Sequence, residues 1–176
     1  MAGCTGTGTS DDRTTGGGTE IEPGTDEPGT PTAGTTTPDG PLRLQAIDVA
    51  GSPGGEVSLR PPGKAVLLDF FATWCGPCKP EMANLRAVRS RFEESELAMV
   101  SITQEVDTEA IEEFWRTYEG TWPVATDPEL RAGQRYRVTE LPTIIVLAPD
   151  GTETLRHTGL AGEERLVSGV EETIAE

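Results

Sequence analysis

The chain has 176 residues, with 30 acidic against 14 basic side chains, a formal charge of −16 and a pI near 4.4. A polyanion of this kind lacks the basic footprint that binding to nucleic acid requires, so nucleic acid is excluded as a natural partner. At 35% apolar and 5% aromatic residues the average looks too polar for a generous core, but the two ends of the chain differ.

Of the first 40 positions, 27 are Thr, Gly, Pro or Ser, a composition that cannot bury enough surface to offset chain entropy. Residues 1–40 are therefore predicted to be a disordered acidic tether, and residues 41–176 one compact domain. No run of about 18 apolar residues is present, so no transmembrane helix is predicted. Met1-Ala2-Gly3-Cys4 resembles the end of a lipobox, in which small residues precede a cysteine that becomes lipidated. On that reading Cys4 is the anchor of a surface lipoprotein cut from a longer precursor, and about 36 flexible residues give the tether a reach of roughly 30–36 Å. The bland alternative is an incidental thiol on a tail. Basic residues are 12 Arg and only two Lys, Lys64 and Lys79. An acidic, Lys-poor surface is expected of a halophilic protein kept soluble where salt screens charge over a few ångströms.

The domain opens with alternation at Leu42, Leu44 and Ala46, predicting a short strand paired in a hairpin with Glu56–Leu59. Ala65–Phe71 is a nearly continuous apolar run of strand length and is predicted to be buried on both faces at the centre of the sheet. From Pro77 to about Glu94, Met82, Leu85, Val88 and Phe92 recur at helical spacing. Leu97–Ile102 supplies the next parallel strand and Thr108 to about Tyr118 a second helix, which predicts a doubly wound topology. Trp122–Ala125 is a short strand candidate, and Asp127-Pro128 reads as an N-cap and first-turn Pro opening a helical segment to about Tyr136. Thr143–Leu147 is a buried strand, Pro149-Asp150-Gly151 a hairpin turn, Thr152–Thr158 its edge partner, and Glu163–Ile174 a closing helix.

Trp74-Cys75-Gly76-Pro77-Cys78 falls where a buried strand gives way to a helix. A helix N-terminus stabilises an anion, so Cys75 is expected to present an exposed, thiolate-prone sulfur there, with Cys78 deeper and close enough to form a disulfide with it. The intervening Gly76-Pro77 shapes the turn and tunes how readily that disulfide is reduced.

The run from Gly63 through Lys64, Asp69, Trp74-Cys75-Gly76-Pro77-Cys78 and Lys79-Pro80-Glu81-Met82 resembles the core block of the thioredoxin superfamily, in its anchored extracytoplasmic TlpA-like branch. Leu141-Pro142-Thr143 is similar to that family's cis-proline loop and Ala148-Pro149-Asp150-Gly151 to the hairpin behind it. The likeness covers roughly Leu42 to Glu176. It implies an α/β thioredoxin-like fold, a central mixed sheet flanked by helices, with an N-terminal hairpin and a TlpA-type insertion over about Thr103–Tyr136. By the same resemblance, Cys75 is the nucleophile, Cys78 the resolving thiol of a redox-active disulfide, and Asp69 a buried carboxylate with a raised pKa that relays a proton. Pro142 is the cis-proline that exposes the Leu141 backbone to a substrate strand, and Trp74 either contacts substrate or only packs. Many relatives carry Pro where Ala83 stands, which leaves the course of the helix below the site open.

The activity implied is thiol–disulfide exchange on protein disulfides outside the membrane, with no cofactor or metal, by a monomer resupplied from a membrane thiol donor. Gly76-Pro77 favours the reducing direction, and keeping apocytochrome c cysteines reduced is one family role. Three rival chemistries fit poorly. Zinc would need two more ligands, and only Cys4 and His157 remain. A copper chaperone would space its cysteines more widely. A peroxiredoxin-type thiol peroxidase would want Thr where Ala72 stands, with Thr73 one residue late. A non-catalytic binding module with an idle disulfide is the reading from a different class.

Overall fold

The computed structural model describes residues 40–175, so Cys4 and the predicted tether lie outside the described residues. Strands β1 (Arg43–Ala46) and β2 (Gly55–Ser58) form the predicted hairpin, with Leu44 opposite Val57. Next come β3 (Ala65–Phe70), α1 (Cys78–Arg91), β4 (Leu97–Thr103), α2 (Thr108–Thr117), β5 (Val124–Thr126), α3 (Arg131–Arg135), β6 (Thr143–Leu147), β7 (Glu153–Thr158) and α4 (Glu163–Ile174). They build one mixed sheet in the order β2-β1-β5-β4-β3-β6-β7.

Three expectations are corrected. The middle strand is β4 and not β3, because the hairpin docks on β5 through Gln45–Thr126 and Ala46–Ala125 and so lengthens the sheet on that side. The winding is one-sided. The strands advance in a single direction from β3 to β4 to β5, and right-handed crossovers then keep α1 and α2 over one face, where α4 joins them. The opposite face is closed by α3 and the segment leading out of it, with Ala132, Tyr136 and Val138 against Leu68, Phe70 and Ile145. Finally, Asp127-Pro128 does not open α3 directly. A turn comes first, with the Leu130 N–H donating to the Asp127 carbonyl at 2.9 Å and Leu130 at φ 57°. The Asp127 carboxylate still caps the helix from further back, accepting from the N–H groups of Arg131, Ala132 and Gly133 at 2.8–3.0 Å.

Strand β3 is buried along its whole length, and alternation sorts its side chains. Ala65 and Leu67 face the three-helix side, whereas Val66, Leu68 and Phe70 face the α3 side. Asp69 is in step with Leu67 and therefore lies beneath α1. On α1, Met82, Leu85 and Val88 pack onto this face, each contributing about 1.5–3 kcal/mol by burial. The helix is continuous across Ala83, and Pro80 falls in its first turn, where a missing N–H costs no intrahelical bond. Turn geometry requires Gly151 at the β6–β7 hairpin, at φ 93° with its N–H donating to the Ala148 carbonyl at 2.8 Å.

Gly120 sits flat against the buried Trp115 ring, so that a Cβ there would fall 2.1 Å from Trp115 Cε2. Gly120→Ala is expected to lower the stability of the domain by about 1–3 kcal/mol in denaturant unfolding, and a loss under about 0.5 kcal/mol would show that the ring yields freely.

Candidate active site

The chain leaves β3 at Phe70, turns through residues 71–77 and enters α1 at Cys78. Phe71 stays attached to the sheet through its N–H to the Ile102 carbonyl at 3.0 Å, and the Cys75 N–H closes a turn onto the Ala72 carbonyl at 3.1 Å. Cys75 and Cys78 are joined as a disulfide with Cα atoms 5.4 Å apart, within the range the bond requires. The helix begins at Cys78, so its positive end is directed at the sulfur pair.

The expected exposed sulfur is not observed. Cys75 is 4% and Cys78 2% exposed. The disulfide is tucked behind the turn, whose outer surface is made by the exposed Trp74, Gly76 and Pro77. The two cysteines differ in outlook, since Cys75 lines a groove of about 450 Å³ and Cys78 does not. Trp74, Gly76, Pro77 and Leu141 line the same groove, along with Leu130 and Val138. Trp74 is 67% exposed, which removes the reading that it serves only as core packing. The Leu141–Pro142 peptide is cis, with Leu141 half-buried at the groove and Pro142 buried behind it. His157 lies on β7, its Nε2 donating to the Leu160 carbonyl at 3.2 Å.

Asp69 is 2% exposed and lies outside the groove. Burial pushes its pKa up to about 7, against the opposing pull of a 2.6 Å hydrogen bond from Ser101 Oγ to Oδ2. A second acid, absent from the sequence-derived site, is Glu81. It is 1% exposed, and burial raises its pKa to about 8, opposed by the Ala161 N–H at 3.0 Å on Oε1 and reinforced by the like charge of Asp69. Glu81 Oε2 is buried without a partner. A neutral Glu81 therefore carries its proton on Oε2, the oxygen not already accepting. Glu81 comes three residues after Cys78 on α1, which places the two on one side of the helix. That spacing was readable; the burial of a glutamate in a first turn was not.

Glu105 was also missed. Its Oε2 accepts from the Thr73 N–H at 2.7 Å and from Thr103 Oγ1 at 3.0 Å, and its Oε1 accepts from Thr73 Oγ1 at 2.7 Å. One carboxylate from the end of β4 thus ties down the residue immediately before Trp74-Cys75. No sequence signal marks this, because the contact joins residues 32 apart.

The Redoxin family model matches residues 32–174. The thiol-disulfide oxidoreductase ResA of Oceanobacillus iheyensis is 30% identical over 89 residues, covering 51% of this chain and 46% of that protein. The chain thus spans about half the length of that curated relative. Among solved structures, StoA from Bacillus subtilis matches at TM-score 0.63 and 20% identity, over 74% of this chain and 96% of that one. A secreted Mycobacterium tuberculosis disulfide oxidoreductase homologous to E. coli DsbE matches at TM-score 0.62 and 21% identity, over 74% of this chain and 95% of that one. At such identities the structures share the fold, in keeping with the α/β thioredoxin-like reading of the sequence.

The two carboxylates that flank the turn lend themselves to measurement. Because Asp69 holds its proton to about pH 7 when folded and only to about 3.8 when unfolded, its stabilising contribution is full below the lower value and declines as pH rises to the upper one. Asp69→Asn should therefore gain stability over the parent between pH 4 and 7 and keep a constant advantage of order 2–4 kcal/mol above that range, measured by urea unfolding at fixed pH; a constant difference from pH 4 to 8 would contradict the raised value. Glu105→Gln replaces one accepting oxygen by a donor facing donors, and should cost about 1–2 kcal/mol in the same assay.

Proposed function

The chain belongs to the Redoxin family, and from that premise we propose that it is a protein thiol–disulfide oxidoreductase working through Cys75 and Cys78. The observation carrying this reading is a disulfide across Cys-Gly-Pro-Cys at the head of α1, with Cys75 lining a groove and two buried acids nearby. In the reducing direction the Cys75 thiolate attacks one sulfur of a substrate disulfide, forming a mixed disulfide and expelling the other substrate sulfur as a thiolate. Cys78 then loses its proton and attacks the Cys75 sulfur, releasing the second substrate thiolate and closing the Cys75–Cys78 bond. Two electrons pass to the substrate and two protons accompany the thiols formed. On this reading Asp69 and Glu81 take the Cys78 proton and return it when the pair is reduced again.

Trp74, Gly76, Pro77 and Leu141 form the wall against which a substrate segment lies, and the cis bond before Pro142 presents the Leu141 backbone to it. Gly76-Pro77 favours a reductase, with an external thiol donor at the membrane restoring the dithiol. Reduction of apocytochrome c cysteines is the narrower substrate reading. The lipobox-like Cys4 and the acidic Thr/Gly-rich tether support placement outside the membrane as a lipid-anchored monomer, and the secreted mycobacterial neighbour is consistent with that location. Among the described residues no helix is long and apolar enough to cross a membrane. The charge of −16 with two lysines supports a high-salt setting.

Insulin reduction with a supplied thiol donor tests the activity. Cys75→Ser should abolish exchange, and Cys78→Ser should accumulate mixed disulfides that are visible on non-reducing gels and identifiable by mass spectrometry. Turnover surviving in Cys75→Ser, or none in the parent chain, would remove the assignment and favour the binding-module reading.

A further inference from the structure

Ser101 lies opposite Asp69 in the β3–β4 register and is fully buried. Its Oγ is 2.6 Å from Asp69 Oδ2 and 2.9 Å from Trp122 Nε1. An indole N–H can only donate, so the serine oxygen accepts from Trp122 through one of its two lone pairs; an ionised Asp69 can only accept, so it takes the single hydroxyl proton. For the ionised carboxylate, the direction of the chain, from Trp122 to Ser101 to Asp69, is thereby set by donor counting. Trp122 is well placed to hold it. The ring is 1% exposed and meets Trp115 edge-on with centroids 5.2 Å apart. The next residue, Pro123, accepts the Ser101 backbone N–H at 3.0 Å, so both the main chain and the side chain of Ser101 are gripped from the segment entering β5.

We propose that Trp122 is a positioning residue of the redox centre: by donating to one lone pair of the Ser101 hydroxyl it turns that proton toward Asp69 and favours the carboxylate form in a buried site. This rests on the reading of Asp69 as a proton carrier for the cysteine pair. Without the indole the hydroxyl would turn more freely; with it, the N–H repels the hydroxyl proton from its own side and favours the orientation that reaches Asp69. The titratable groups of α1 on this side of the sheet are Glu81, which opposes ionisation of Asp69, and Cys78 once reduced. From β6 the residue in register with Asp69 is the apolar Ile144, and from β4 it is Ser101 itself. The Ser101 bond pulls the Asp69 value down against the effect of burial, in agreement with the direction drawn here.

The test reads Asp69 directly in the oxidised protein, by carboxyl carbon NMR against pH in a Glu81→Gln background that removes the coupled titration. The Trp122 Nε1–H resonance is expected to move with the same midpoint as Asp69 and to become pH-independent in Asp69→Asn. Ser101→Ala should raise the midpoint by about one unit, the effect of losing one hydrogen bond to a charged acceptor. Trp122→Phe should raise it by about half a unit or more, and adding Trp122→Phe to Ser101→Ala should raise it no further. An Asp69 midpoint unmoved by Trp122→Phe, or effects of the two substitutions that add in full, would overturn the proposal. If Trp122→Phe fails to fold, the co-titration in the parent decides, and an indole signal indifferent to Asp69 overturns it. Because no turnover is involved, failure here is distinct from failure of the oxidoreductase reading, which would appear as no exchange in the parent chain or as exchange surviving in Cys75→Ser, and from loss of the proton-carrier role of Asp69, which would appear as Asp69→Asn exchanging thiols at the parent rate.

Discussion

Two carboxyl groups buried beneath one disulfide are the constraint around which the rest of this domain is arranged. Water would ionise both near pH 4, whereas burial holds Asp69 to about 7 and Glu81 to about 8, so near neutrality the pair is divided between charged and neutral forms. On the function proposed above, such a site serves a thiol that must give up a proton only when its partner has already reacted. It is also costly, since ionising either group opposes folding, and the surrounding structure offsets that cost with specific donors: Ser101 for Asp69, and the Ala161 N–H for Glu81.

Most of the architecture was legible because it is written in local periodicity. The apolar run of β3, the helical spacing of Met82, Leu85 and Val88, and the Pro149-Asp150-Gly151 turn each specify an element without reference to distant residues. So does the placement of Cys75–Cys78 between strand and helix. Asp69 was legible as buried because apolar neighbours flank it on both sides in a strand too short to tilt it out. What was not legible is what depends on pairing. Which strand lies in the middle is decided by the hairpin docking on β5, and the one-sided winding by the direction in which strands are added. Neither leaves a trace in any single window.

The same division runs through the site. Cys75, Cys78, Trp74, Leu141 and cis-Pro142 were found because motifs mark them. Glu81, Glu105, Ser101 and Trp122 were not, because a glutamate, a serine or a tryptophan has no fixed meaning until the fold supplies its neighbours. The burial of Cys75 was hidden for a related reason: the head of a helix looks open in sequence, and only the folded turn around it leaves the residue 4% exposed.

The backbone of Ala161, just ahead of α4, is held by α1 at both of its polar atoms. Glu81 accepts its N–H, and Asn84 Nδ2 donates to its carbonyl at 2.7 Å. The amide of Asn84 carries no charge at any pH the protein meets, and Glu81 can accept the N–H whether or not it is ionised. The fastening of α1 to the segment ahead of α4 therefore holds in either protonation state of Glu81, so a change of charge there leaves this link between the two helices intact.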